Sequence, residues 1–200
     1  MDNIFSIGYA GFDINTFLQV IKKYSINCII DVRSKPFSKY YINYNKPYLE
    51  QVLNDNQILY RHYGKEFGAQ QTSAKFLTSS RYVSFSKFIL STEFTNGINK
   101  IKKGMNMGYI CILCAEVDPL TCHRSIMVGQ GFKQQGINIA HILKNQELEY
   151  QSELENRLIN CYIKNSNQLS FLYTSKETML EEAYNRKNKE IGFKVKEIYY

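Results

Sequence analysis

Short apolar runs alternate with longer amphipathic segments up to about residue 143. The continuous runs have the length of strands that are buried on both faces, and they lie at residues 4–8, 28–32, 58–63, 109–114 and 137–143. Between the first two runs, Phe17, Leu18 and Ile21 form an apolar stripe that Asp13 precedes as a helix cap. This alternation predicts an α/β fold, a Rossmann-like three-layer sandwich with a mainly parallel sheet of about five strands.

Beyond Lys144 the apolar positions recur at helical spacing, at Leu148, Leu154, Leu158, Ile159 and Tyr162. Residues 176–189 form a further charged segment that we also predict to be helical. We therefore divide the chain into an α/β domain over residues 1–145 and a helical extension over residues 146–200 that packs on it.

The cysteine count and the apolar runs limit the class of protein. Five cysteines are an odd number, and their spacing is not that of a secreted disulfide framework. The first residues enter a strand without a signal region, and no apolar run approaches the length of about 20 residues that a membrane span needs. We expect a soluble cytoplasmic protein with reduced thiols and no membrane partner.

The charge balance bears on possible ligands. The chain has 25 Lys and Arg against 18 Asp and Glu, a formal net charge of +7. Such an excess is typical of a solvated basic surface, and it is equally what a protein that binds nucleic acid or a phosphorylated ligand would carry.

Reactive residues follow every predicted strand, where the carboxyl ends of parallel strands meet at one sheet edge. In chain order they are Gly8 and Tyr9, Asp31 and Arg33, Arg61 and His62, Cys114 and Glu116, and His141. Each also has a structural interpretation, such as a tight turn at Gly8, an Asp31–Arg33 pair, or a satisfied structural histidine at His141. Gly-Tyr-Ala-Gly lacks the full dinucleotide fingerprint.

The segment 109–124 holds the densest group of candidate residues. Pro119 should end the strand, and Thr121 is placed to cap a helix that runs to about Gln135. The first turn of that helix would contain Cys122, His123 and Arg124. There the helix dipole and the neighbouring cations would stabilise a Cys122 thiolate for nucleophilic or redox chemistry, with Cys114 as its partner.

Two further chemistries fit the same corner. In the first, Arg33, Arg124 and free helix amides bind a phosphate, and Glu116 or Asp31 acts as the general acid or base. In the second, Cys111 or Cys114 binds zinc together with Cys122 and His123. However, Cys111 and Cys114 should lie on opposite faces of an intact strand, and a second cysteine pair is lacking, so we assign no metal ligand.

Several motifs together resemble a bacterial and archaeal domain-of-unknown-function family. They are Gly8-Tyr9-Ala10, Asp31-Val32-Arg33 with Pro36 and Ser38, Tyr60 with Gly64 and Gly68, Cys114-Ala115-Glu116 with Asp118-Pro119, Cys122-His123-Arg124, and His141-Ile142. The similarity covers about residues 3–145. Where the family has Leu-Gly-Gly after the third strand, this chain has Glu66-Phe67-Gly68-Ala69. The resemblance implies a fold and an active site but no established reaction.

We therefore hypothesise an enzyme that acts on a phosphate-bearing ligand, either a nucleotide or a nucleic acid. The predicted catalytic residues are Asp31, Cys114, Glu116, Cys122 and His123, and the predicted ligand-binding residues are Gly8, Tyr9, Arg33, Ser38, Arg124 and His141. The alternatives are a non-catalytic nucleic-acid-binding or regulatory module, and a thiol-redox or zinc-binding protein. The sequence identifies no cofactor.

Overall fold

A computed structural model describes residues 4–163 and 175–195. The strands in this part are β1 (Ile4–Gly8), β2 (Ile26–Asp31), β3 (Leu59–His62), β4 (Tyr109–Cys114), β5 (Ala140–Ile142) and β6 (Leu148–Tyr150). They form one sheet in the order β3-β2-β4-β1-β5-β6. All neighbours pair in parallel except β5 and β6, so the predicted mainly parallel sheet is confirmed.

Helices cover both faces of the sheet. They are α1 (Ile14–Lys23), α2 (Lys46–Asp55), α3 (Gly64–Phe67), α4 (Phe85–Ile89), α5 (Thr92–Met105), a π-helix (Arg124–Gly129), α6 (Gln130–Gln134), α7 (Gln151–Tyr162) and α8 (Lys176–Ile191). The apolar residues of α1 and α2 share one core cluster, and those of α4, α5, the π-helix and α6–α8 share the other. The predicted three-layer α/β sandwich is therefore confirmed.

The central strand shows why continuous apolar runs mark this sheet. Ile112 and Cys114 of β4 point into one core cluster, whereas Cys111 and Leu113 point into the other. Both sets of side chains are buried, because successive strand residues face opposite sides and each side is covered by helices.

One difference from the prediction concerns the segment after Lys144, which we expected to be helical from Leu148. Residues Leu148–Tyr150 instead form β6, which pairs antiparallel with β5 as an edge strand. Gln146 has a φ of +64° in the intervening turn, and the Asn145 side chain accepts a hydrogen bond from the Glu147 amide. The short loop closes a hairpin before the helical pattern can begin, so α7 starts at Gln151.

A second difference concerns residues 81–90, for which the sequence also predicts a helix. Arg81 has a φ of +59°, which a helix does not accommodate, and α4 begins only at Phe85. The backbone of residues 81–83 pairs instead with residues 193–195. Residues 164–174 and 196–200 of the predicted extension lie outside the described residues.

The order of the strands places three carboxyl ends side by side. β4 lies between β2 and β1, with Asp31 opposite Leu113 and Gly8 opposite Cys114. Within the described ranges, no helix has the length and apolar content that crossing a bilayer requires.

Candidate functional site

The chain leaves β4 through a tight turn that differs from the predicted helix cap. Asp118 accepts a hydrogen bond from the Leu120 amide and starts a 3-10 turn at Pro119–Thr121. Cys122 is extended, with φ −125° and ψ 141°, and the π-helix then begins at Arg124. The predicted Thr121 cap is wrong, because the Thr121 hydroxyl donates to the Asp118 carbonyl 3.0 Å away.

Two residues that we predicted to bind a ligand, Gly8 and Arg124, contact the backbone of this turn. A Cβ atom on Gly8 would lie 1.7 Å from the Glu116 carbonyl oxygen, so only glycine admits the turn at this distance. Arg124 is fully buried and donates to the carbonyl oxygens of Glu116 and Val117 at 2.6 and 3.1 Å. The anion-binding roles predicted for Gly8 and Arg124 do not match these positions, which are structural.

Four of the predicted catalytic residues converge at the end of β4 and form what we call the thiol cluster: Cys114, Glu116, Cys122 and His123. The Glu116 Oε2 atom lies 3.3 Å from Cys114 Sγ and 2.9 Å from Cys122 Sγ. His123 Nδ1 lies 3.5 Å from Cys114 Sγ. Both thiols are buried and His123 is half-buried, whereas Glu116 is exposed as a residue although its Oε2 atom faces the two buried sulfurs. A carboxyl group, two thiols and an imidazole therefore share one small volume.

The surroundings shift the acidity of every member of the thiol cluster. Burial raises the pKa of the Cys114 thiol, and burial of the Glu116 carboxyl group beside Cys122 raises the Glu116 pKa. Burial alone would raise the pKa of Cys122, but the hydrogen bond from Cys114 and the charge of Arg124 hold it below the usual range. Burial alone would lower the pKa of His123, but the hydrogen bond with Cys122 and the charge of that thiolate outweigh burial and raise the His123 pKa. The cluster can therefore hold and transfer protons.

A pocket of about 450 Å³ opens above the thiol cluster. Its residues include Cys114, Glu116, His123 and Tyr9 from the strand ends, Arg33, Lys35 and Phe37 from the loop after β2, and Ile191 and Phe193 from the segment after α8. The predicted site residues Tyr9, Arg33, Cys114, Glu116 and His123 thus meet in one concave space, as a binding site requires.

Arg33 is held in the pocket wall by Asp31. Their side chains form a buried ion pair, with Arg33 Nη2 2.5 Å from Asp31 Oδ2, and the Tyr60 hydroxyl donates to the same carboxylate at 2.7 Å. Burial would lower the pKa of Arg33, but the hydrogen bonds and the charge of Asp31 outweigh it and raise that pKa. Asp31 is fully buried and does not line the pocket, so its position does not match the predicted proton transfer to a ligand there.

His141 and Ser38 do not line the pocket. His141 belongs to what we call the histidine network, a chain of hydrogen bonds through Ser6, His141, Gln151, Tyr184 and Glu155. Its ring is fully buried, so the predicted ligand-binding role does not fit. Ser38 accepts hydrogen bonds from the Tyr40 and Tyr41 amides at 3.2 and 3.1 Å and closes a turn.

Some pocket residues were not identified from the sequence. Lys35 and Phe37 lie two and four positions after the Arg33 that ends the Asp-Val-Arg motif, and this closeness was the available signal. Phe193 reaches the pocket because the Val83 amide donates to its carbonyl oxygen, which ties the segment after α8 to the rest of the molecule. No local pattern in the sequence predicts this pairing.

The structure separates Cys111 from the other candidate metal ligands. Cys111 points into the core cluster on the opposite side of β4 from Cys114, which confirms the expected alternation. Cys114, Cys122 and His123, in contrast, offer donor atoms that all lie within 4.8 Å of one another.

Comparison with known proteins identifies the family. The model of a domain of unknown function, DUF488, matches residues 13–129, more than half of the chain. No curated protein matches the chain, and no solved structure matches it. The matched segment contains β2, β3, β4 and the whole thiol cluster. The chain therefore belongs to the DUF488 family.

Proposed function

We propose that the protein is an enzyme that acts on a phosphate-bearing ligand, a nucleotide or a nucleic acid, in the pocket above the thiol cluster. The observation that carries this proposal is the convergence of Cys114, Glu116, Cys122 and His123 beside a pocket of about 450 Å³. A cluster of groups with shifted pKa values in a concave site is typical of enzymes.

The pocket wall supports an anionic ligand. Arg33 is only 6% exposed and its guanidinium group lies over the Tyr9 ring, 4.9 Å from the ring centroid, but its Nη1 atom makes no hydrogen bond of normal geometry within the described residues. A buried guanidinium nitrogen without an acceptor favours a ligand that brings one, such as a phosphate oxygen. Lys35 is exposed in the same wall and adds a second positive charge.

Aromatic side chains in the pocket support a ligand with a base. Phe37 is 67% exposed, although it is a large apolar side chain, and Phe193 approaches the same space. Flat aromatic surfaces beside a positively charged wall are suited to stacking a nucleobase while the phosphate pairs with the cations.

Glu116 is the residue we assign to proton transfer. Glu116 lines the pocket, and the burial of its carboxyl group on the side of Cys122 raises its pKa. An acid whose pKa is moved towards neutrality can both accept and donate a proton during one reaction cycle.

A binding experiment tests the ligand class. Nucleoside mono-, di- and triphosphates and short single-stranded DNA and RNA are titrated against the protein, together with native mass spectrometry of the protein as purified. We expect Arg33→Ala to weaken binding by about 10- to 100-fold, because a charge-assisted hydrogen bond is lost. Arg61→Ala removes the same charge from an exposed position outside the pocket and is the matched control.

The salt dependence and the control variant define the results that would contradict the proposed ligand class. Binding of a phosphate-bearing probe should weaken as salt increases. Equal losses in Arg33→Ala and Arg61→Ala, or an affinity that salt does not change, would contradict the proposed ligand class.

Turnover of any bound probe then distinguishes an enzyme from a binding module. Glu116→Gln should lower turnover at least about 100-fold while affinity stays within about threefold, since general acid–base catalysis contributes this much. A probe that binds through Arg33 and is never converted would favour the non-catalytic nucleic-acid-binding or regulatory alternative.

A further inference from the structure

The donor atoms of Cys114, Cys122 and His123 have the spacing of ligands to one metal ion. All three lie within 4.8 Å of one another, and Cys114 Sγ is 3.5 Å from His123 Nδ1. In a tetrahedral zinc site, sulfur and nitrogen ligands at their usual bond lengths are about 3.5 Å apart, and two sulfurs are about 3.8 Å apart. An ion could therefore enter with little movement of these side chains.

The environment of His123 fixes which ring nitrogen is available. His123 Nε2 lies 3.2 Å from the Val32 carbonyl oxygen. A carbonyl oxygen only accepts hydrogen bonds, so Nε2 carries a proton, and when the ring is neutral Nδ1 presents its lone pair to the thiols. Metal-binding histidines show this arrangement, because a second hydrogen bond holds the ring and its tautomer.

Cys122 has the matching support. The Arg124 amide lies 3.5 Å from Cys122 Sγ and donates towards it, as backbone amides do to metal-bound thiolates. The Arg124 side chain is buried beneath the same turn. The Arg124 amide thus contacts the Cys122 sulfur from within the turn, and the same sulfur also contacts the carboxyl group of Glu116.

We infer that Cys114 Sγ, Cys122 Sγ and His123 Nδ1 bind one divalent zinc ion, with Glu116 beside its fourth, open position. Two thiolates and one imidazole form a ligand set that zinc prefers, and three protein ligands with an open position are typical of catalytic zinc. The inference adds a cofactor to the site of the proposed function and takes its biological meaning from that proposal. It makes the two thiols ligands instead of free nucleophiles.

This assignment defines the chemistry of the pocket. On binding, each thiol releases its proton to solvent, and the ion takes a water molecule as its fourth ligand. The ion lowers the pKa of that water towards neutrality, and Glu116 accepts the proton that the water loses. The hydroxide would then attack the phosphorus atom of a phosphate-bearing ligand, so that one P–O bond forms while the P–O bond to the leaving oxygen breaks, and Glu116 would return its proton to that oxygen.

Metal content measured on the full chain tests the inference without any substrate. The protein is purified without chelator, incubated with zinc, dialysed and analysed for metals. We expect about one zinc per chain in the unmodified protein and less than about 0.2 in Cys114→Ser, Cys122→Ser and His123→Ala. Cys161→Ser removes an exposed thiol elsewhere and should keep the full zinc content.

Cobalt replacement provides a second readout. Cobalt in the same site should give a thiolate-to-metal charge-transfer absorption and visible bands of a tetrahedral ion, which Cys122→Ser changes and Cys161→Ser does not. Glu116→Gln should retain the metal. Less than about 0.2 zinc per chain in the unmodified protein, a native Cys114–Cys122 disulfide, or loss of zinc in Glu116→Gln would overturn the three-ligand site.

The two proposals can fail separately. If zinc is absent but Arg33→Ala still weakens nucleotide binding, the metal site fails and the proposed ligand class stands. If zinc binds with the expected ligand dependence and no phosphate-bearing probe binds, the metal site stands and the proposed function fails.

Discussion

The thiol cluster and the histidine network are two groups of polar side chains that both include strand residues of the sheet, and they differ in how completely their hydrogen-bond donors and acceptors are paired. In the histidine network, the Gln151 amide nitrogen lies 3.3 Å from the Ser125 carbonyl oxygen and 2.8 Å from the Tyr184 hydroxyl. The amide oxygen therefore faces His141 Nε2 at 2.7 Å, so that nitrogen carries the proton.

The remaining hydrogen bonds of the network follow from this orientation. The Ser6 hydroxyl donates to His141 Nδ1 at 2.6 Å, and the Tyr184 hydroxyl donates to Glu155 at 3.0 Å. Lys133 pairs with the same carboxylate. Each of these donors has its acceptor within the network.

In the thiol cluster, the hydrogen-bond donors and acceptors are not fully paired. One oxygen of Glu116 is close to two sulfur atoms, and one nitrogen of His123 faces one of them, so several acidic groups compete for few acceptors. Both groups border open space: Cys114, Glu116 and His123 line the pocket beside Arg33, and Tyr184 and Glu155 line a separate pocket of about 430 Å³. An open space beside titratable residues is therefore common to both groups, and the thiol cluster differs from the network in its incomplete hydrogen-bond pairing.

The largest expected effect is on the pH dependence of folding through His141. Burial lowers the pKa of His141 from 6.5 to about 3. Between these values the unfolded state binds a proton that the folded state does not, so the free energy of unfolding falls as the pH falls. The contribution is present above about pH 6.5, and its loss should amount to about 1.4 kcal/mol per pH unit and roughly 5 kcal/mol in total.

Urea unfolding between pH 4.5 and 8 measures this effect, with His141→Gln as the variant that lacks the titrating group. The difference in stability between the two proteins should change with the stated slope below about pH 6.5. Parallel pH profiles would show that His141 is accessible to protons in the folded state, and the contrast with the thiol cluster would fail.

The next effect concerns Arg124, which connects the fold to the thiol cluster. Arg124→Met should lower the free energy of unfolding by about 3 kcal/mol, because the carbonyl oxygens of Glu116 and Val117 lose the charged donors of a fully buried side chain. Arg157→Met is the control, since its ion pairs with Asp118 and Glu149 are partly exposed and should contribute less than about 1 kcal/mol. Similar losses in both variants, measured by urea unfolding, would mean that Arg124 is not a structural anchor.

The smallest expected effect is on the free energy of unfolding when the Tyr184 hydroxyl or the Glu116 carboxyl group is removed. Tyr184→Phe should cost about 1 to 2 kcal/mol, because Gln151 loses an acceptor and Glu155 loses a donor. Glu116→Gln in metal-free protein should change stability by no more than about 0.5 kcal/mol or increase it, as substitutions in crowded active sites do. Thermal unfolding in the presence of a chelator measures both, and a larger loss in Glu116→Gln would reverse the comparison.

Local sequence determined much of the architecture. The apolar runs 4–8 and 109–114 coincide with β1 and β4, because a strand covered on both faces needs apolar side chains at consecutive positions. Asp13 caps α1 as its side chain predicts, accepting hydrogen bonds from the Asn15 and Thr16 amides. The placement of reactive residues at strand ends follows from the same runs.

Only the tertiary structure decided which of those residues share the pocket. Past the end of a strand, no periodicity dictates side-chain direction, so the turn at Pro119–Thr121 and the π-helix placed Cys122 beside Glu116 and buried Arg124. His141 faces Gln151 because α7 packs there, and Phe193 reaches the pocket through pairing with residues more than a hundred positions away. These contacts join distant segments, and their geometry depends on how the layers pack.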